Sequence, residues 1–130
     1  MDSKENNKRF SFIRRIKSAN FALRGIIIFL KTTHNAWLHL FFGVLAVYMG
    51  FLLRISTVEW ALVVLAIGLV LLSEAFNTAI EIDIDLTSPE YHPYAKDTKD
   101  VAAGAVAISS ILAGVIGLLI FLPKVLNMLE

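Results

Sequence analysis

Three long apolar stretches divide this chain, and short polar segments separate them. Before the first stretch, residues of about 9–30 show an amphipathic pattern. Phe10, Ile13, Ile16, Ala19 and Leu23 recur at helical spacing, while Arg14, Arg15, Lys17 and Arg24 fill much of the remainder. Gly25 to Leu30 is too short to span a bilayer and is expected to turn the chain toward it. Ala36 to Leu53 is apolar with a single histidine, His39, and predicts a first span over about 36–53. Trp37 and Tyr48 suit interfacial anchors at its two ends. Arg54 to Glu59 reads as a tight link between antiparallel helices. Trp60 to Leu72 is nearly unbroken apolar sequence, and Ser73 to Ile80 extends it into a span of about 59–81. Asp83 to Asp100 is polar, and Ser88-Pro89 and His92-Pro93 break any continuous helix there. A new helix is expected from Tyr94 onward, with the third span over about 100–122. Ala103, Ala107, Ser110, Ala113, Gly114 and Gly117 permit close helix approach in that span, and Pro123-Lys124 marks its end.

Composition turns this pattern into a class. The 130 residues are 57% hydrophobic, 18% charged, and have a mean hydropathy of +0.70. A soluble core of this size cannot bury that much apolar surface, so an all-α membrane protein of one domain, 1–130, is expected. Cysteine is absent, which excludes a disulfide framework and thiolate metal sites. The basic N-terminal segment is not followed by a signal-peptide pattern and is kept as mature chain. Eight of the twelve basic residues precede position 32. They fit either a helix lying on an anionic leaflet or a plain flank that sets topology. In both cases the positive-inside bias puts the N-terminus and the 83–100 segment in the cytosol.

One stretch carries candidate chemistry. In Ser73-Glu74-Ala75-Phe76-Asn77-Thr78-Ala79-Ile80-Glu81, residues Glu74, Asn77 and Glu81 fall at i, i+3 and i+7, on one helix face. Ionisable groups at the edge of a span are costly and point to function, the bland alternative being carboxylates solvated just past the membrane. Asn35 and His39 share a face one turn apart, and His39 fits a helix–helix hydrogen bond as well as a ligand. The carboxylates at 74, 81, 83 and 85, the amide at 77 and Lys99 are hard oxygen ligands plus one phosphate-sized cation. A metal, a cation for developing charge and a base are what phosphoryl transfer needs. Neither a P-loop nor the protein-kinase signature set is present.

The run Glu74-Ala75-Phe76-Asn77-Thr78-Ala79-Ile80-Glu81, with Asp85, Glu90-Tyr91-His92 and Lys99-Asp100-Val101-Ala102-Ala103-Gly104-Ala105-Val106, resembles the bacterial integral-membrane diacylglycerol kinases, a family that includes undecaprenol kinases. The last segment is nearer the undecaprenol kinase branch. The resemblance covers nearly the whole chain. It implies a homotrimer in the bacterial inner membrane, with sites between subunits, that transfers the γ-phosphate of ATP to a membrane lipid alcohol with Mg²⁺. It calls for no nucleic acid.

The resemblance also implies residue roles. Glu74 takes the general-base position, with Asn77 supporting the site and the lipid substrate. Glu81 takes a Mg²⁺ and nucleotide position. Lys99 meets the transferring phosphate and Asp100 the nucleotide. Arg14, Phe21, Glu90, Tyr91 and His92 match nucleotide-binding positions. Each has a plainer reading: Arg14 as a headgroup contact, Phe21 as a membrane-facing ring, Tyr91 and His92 as parts of a Pro-bounded turn. One departure stands out. The family pattern E-x-N-x-x-x-H is met at Asn35 and His39, but Thr33 occupies the metal-ligating Glu position, and Trp37 replaces a commonly basic residue. A neutral hydroxyl at 33 leaves three outcomes: a second metal held through water, compensation by Asp83, Asp85 or His34, or reduced activity. A catalytically silent helical scaffold is therefore the alternative to a kinase. A channel built on Glu74 is disfavoured, because no polar stripe continues through the third span.

Overall fold

The computed structural model describes residues 12–130, with side chains from residue 15 onward. Four helices follow one another: α1 (Phe12–Thr32), α2 (His34–Leu52), α3 (Thr57–Thr87) and α4 (Pro93–Leu129). Three of them, α2, α3 and α4, are long and apolar enough to cross a membrane. The α3–α4 pair is the most extensively packed, α2 lies against α3, and α1 touches both α2 and α3.

Helix bounds differ from expectation in three places. Gly25 to Leu30 does not turn the chain, because α1 stays helical through Thr32 and the break falls at Thr33, which is extended at φ −99°, ψ 102°. Nothing in Gly25–Leu30 stops a helix, since Gly25 is a single glycine without a following proline. Pro123 does not end α4; it sits inside the helix, which continues to Leu129. The helix forgoes one backbone hydrogen bond there and recovers an ion pair one residue on, from Lys124 to Glu59 of α3 at 3.2 Å. Finally, α3 runs six residues past Glu81, to Thr87, and α4 starts at Pro93. Proline fits that first turn because its missing N–H has no partner to lose.

The helices meet along stripes of period three and four. Ala36, Gly43 and Gly50 are buried on α2, and Val63, Ala66, Val70, Glu74 and Asn77 on α3. Most other apolar side chains of the spans, such as Phe41, Leu65 and Leu119, face outward, as lipid-exposed surfaces do. The end of the molecule holding the α2–α3 link is the best packed. Ile55, Val63 and Ile120 form its core, with Trp60, Ile67 and Phe121 against them. Gly50 is required there: a Cβ would stand 2.7 Å from the Trp60 ring. The link closes α2 with a Schellman motif. Ile55 N–H reaches the Gly50 carbonyl at 3.1 Å and Arg54 N–H the Phe51 carbonyl at 3.3 Å. Arg54 takes the left-handed position, φ 48°, that glycine usually fills. Ser56 then caps α3 with a capping box: its hydroxyl accepts from Glu59 N–H, and the Glu59 carboxylate accepts from Ser56 N–H at 2.7 Å.

Candidate functional site

The opposite end is built differently. Glu74, Asn77 and Thr78 are buried on α3, and Glu74 is only 1% exposed. The α3 stripe that packs through Val63, Ala66 and Val70 carries these polar side chains inward with the same periodicity. Not all of them find partners. Glu74 Oε1 and Asn77 Oδ1 are buried without a hydrogen bond, as is the Ser110 hydroxyl on α4. Asn77 Nδ2 donates to Glu81 Oε1 at 3.1 Å, so the amide ties the buried part of the face to the half-buried Glu81 one turn on. His39 of α2 faces Glu74, with Nε2 3.7 Å from Oε1. That is beyond hydrogen-bonding distance but close enough for charge to be felt.

Thr33 reaches the same face. Its hydroxyl lies 2.6 Å from that of Thr78, whose own hydrogen is directed to the Glu74 carbonyl at 3.0 Å. A hydroxyl has one hydrogen, so Thr33 is the donor to Thr78. The residue that departs from the expected carboxylate thus fastens the start of α2 to α3. Serines join α3 to α4 in the same manner, Ser73 and Ser109 lying 2.6 Å apart.

Beyond Glu81, α3 and α4 are held by charge. Lys99 pairs with Asp85, one turn past Glu81 on α3, and Lys96 pairs with Asp100 along α4. The hydrogen bond to Asp100, and then its charge, raises Lys96 above the ordinary lysine value of 10.5. Of the residues named from sequence, Glu74, Asn77, Glu81 and Thr33 are linked through hydrogen bonds along α3, and Lys99 of α4 reaches Asp85, one turn of α3 beyond Glu81. Asp100 is engaged by Lys96. His92 is the N-cap of α4, its Nδ1 accepting from Tyr94 N–H at 3.3 Å, which gives it a structural task. Glu90 and Tyr91 lie in the exposed connection before it, and Phe21 is 70% exposed on α1. The Arg14 side chain lies outside the described residues.

His39 is the residue that sequence reasoning left open. The signal was the spacing Ala36, His39, Gly43: His39 lies on the stripe whose small members bring α2 close to α3. Asn35, one turn before His39, is exposed.

No group of three His, Asp or Glu among the described residues is arranged to hold a metal. Mg²⁺ asks for less, one or two carboxylates plus substrate phosphates and water. The Glu81 carboxylate and the unpartnered Asn77 Oδ1 fit that donor set. What the face offers is therefore a buried carboxylate, an amide oxygen near a second carboxylate, and a lysine paired one turn further along α3.

A family model described as prokaryotic diacylglycerol kinase matches residues 20–121. The chain belongs to that family. It is an ATP-dependent lipid kinase with three candidate membrane-spanning helices. This kinase is 41% identical over 124 residues to the undecaprenol kinase of Bacillus subtilis, covering 95% of this chain and 99% of the relative. It is 35% identical to the diacylglycerol kinase of Synechocystis, over 86% of this chain and 65% of the relative. With the diacylglycerol kinase of Escherichia coli it shares 30% identity, over 82% and 88%.

Proposed function

We propose that this kinase phosphorylates undecaprenol, with Glu74 as general base. The observation that carries the second part is the unpartnered, buried Glu74 carboxylate at the centre of the site. An acceptor alcohol next to it supplies the hydrogen bond that Oε1 lacks. Glu74 takes the hydroxyl proton as the oxygen attacks the γ-phosphorus and the bond to ADP breaks. Asn77 orients Glu81 and supports the substrate. Mg²⁺ bound by Glu81 with the ATP phosphates would neutralise charge on the transferring group. Lys99 exchanges Asp85 for the transferring phosphate, and Asp100 meets the nucleotide. Arg14, Phe21, Glu90, Tyr91 and His92 complete the nucleotide contacts, and Thr33 touches the site through Thr78 rather than as a strong metal ligand.

The choice of undecaprenol is supported by the relative of that name, whose whole length the chain covers. Diacylglycerol is the second reading, favoured by the family description and the other relatives. A homotrimer with sites between subunits accounts for a donor set that one chain leaves sparse. The charge distribution supports a cytosolic N-terminus and 83–100 segment in the bacterial plasma membrane.

The test is phosphate transfer from radiolabelled ATP to undecaprenol and to diacylglycerol, each dispersed with the purified protein. Faster labelling of undecaprenol is expected, and Glu74→Gln should abolish both reactions. Preference for diacylglycerol reverses the acceptor. Full activity of Glu74→Gln removes the base, and no labelling of any lipid leaves a silent scaffold.

A further inference from the structure

We infer that His39 is the positioning residue of Glu74: its Nε2 faces the Glu74 carboxyl group and carries away the proton that Glu74 collects in each turnover. This rests on the reading of Glu74 as the base. A base that is buried faces a difficulty after the chemical step. The alcohol O–H bond has broken, its proton sits on a Glu74 oxygen, and the carboxylate must be regenerated before the next alcohol arrives. Glu74 has only 2% of its side chain exposed, whereas 18% of the His39 side chain is exposed, and His39 lies in the second turn of α2, near the helix end that starts at His34. His39 Nε2 stands 3.7 Å from Oε1, the very oxygen left without a hydrogen-bond donor. A small rotation of either side chain closes that gap to a hydrogen bond.

The fold keeps the imidazole there. Ala36 and Gly43, one turn to either side on α2, are buried and small, so the backbone of α2 runs close to α3 at that level. His39 also lines a cleft of about 370 Å³ between α2, α3 and α4. Among the described residues, the polar side chains buried with Glu74 at this end of α3 are the Thr78 hydroxyl and the Asn77 amide. Neither takes up a proton near neutral pH, while imidazole does. The sequence of events balances with the ring hydrogen of neutral His39 on Nδ1: the proton passes from the alcohol to Glu74 and from Glu74 to the free Nε2, the imidazolium gives one proton to water, and exchange with water returns the ring hydrogen to Nδ1. Glu74 returns as a carboxylate and His39 as a neutral ring.

The experiment compares His39→Gln, His39→Ala and Glu74→Gln in the full-length protein in lipid vesicles. Gln keeps an N–H donor in a similar place but accepts no proton. A drop in kcat of about a hundredfold is expected for both His39 variants, with the KM for ATP within about twofold. Added imidazole should restore activity to His39→Ala and leave His39→Gln unchanged. Wild-type kcat in His39→Gln would overturn proton transfer through His39, as would a His39→Ala loss that imidazole does not relieve in protein whose helicity and melting are unchanged. If Glu74→Gln is inactive while the His39 variants are not, only the role of His39 fails. If Glu74→Gln is active, the reading of Glu74 itself fails.

Discussion

The two ends of the α2–α3 pair treat polar groups in opposite ways. At the linked end, Ser56 and Glu59 satisfy each other's backbone N–H groups, Glu59 pairs with Lys124, and the Schellman turn closes α2. At the other end, Glu74 Oε1 and Asn77 Oδ1 are buried and unmatched. Leaving a buried polar atom unpaired costs about 1–3 kcal/mol, so a chain that satisfies one end fully does not leave the other open for stability's sake. The linked end maintains the fold. The open end holds the carboxylate and amide assigned to the proposed site.

That division is breakable. The largest expected effect is at Glu74→Gln, which should lower kcat by about 10²–10⁴-fold while leaving the thermal midpoint unchanged or raised, because it removes a buried charge without changing shape. A matching loss of stability would mean that Glu74 also holds the fold. Gly50→Leu should do the reverse. Its side chain would run into Trp60 and Ile55, at a cost of about 1–3 kcal/mol by overpacking, with the specific activity of the folded fraction preserved. Thermal unfolding in detergent, read beside the kinase assay, separates the two. Ser56→Ala should cost about 1 kcal/mol by loss of the N-cap and leave turnover alone; a loss of turnover would show that the two ends are coupled. The smallest effect belongs to Lys96. Its raised pKa means that its pairing with Asp100 favours the folded state below the ordinary lysine value and that this contribution fades as pH rises through the higher folded value. That contribution is present at neutral pH, but the pair is exposed, so Lys96→Met should lower the melting point there only slightly.

The spans were legible because lipid-facing helices need unbroken apolar runs, and the site core was legible because Glu74, Asn77 and Glu81 share one helix face at fixed spacing. The helix ends beyond the membrane were not. Asp83 to Thr87 reads as polar connection, yet it stays helical, fastened by the Lys99–Asp85 pair across α3 and α4. That pairing depends on how two helices register, which no local pattern encodes. The meeting of His39 with Glu74 was hidden for the same reason: each residue is visible on its own stripe, but the distance between them is set by Ala36 and Gly43 drawing α2 inward. At Thr33 the departure from the family pattern was plain in the sequence, while its bond to Thr78 required a third dimension.

The overhang of α3 has a mechanical consequence. Its 31 residues make a rod of about 46 Å, some 16 Å more than the hydrocarbon thickness of a typical bilayer. Spans answer a thicker or thinner membrane by changing tilt. A tilt of about 10° swings the tip of such an overhang by about 3 Å, and the Lys99–Asp85 pair obliges α4 to swing with it. Displacements of about 1 Å already cost catalysis dearly. On the proposed reading of the site, turnover should therefore change with the acyl-chain length of the surrounding bilayer even when the phosphorylated lipid is kept the same.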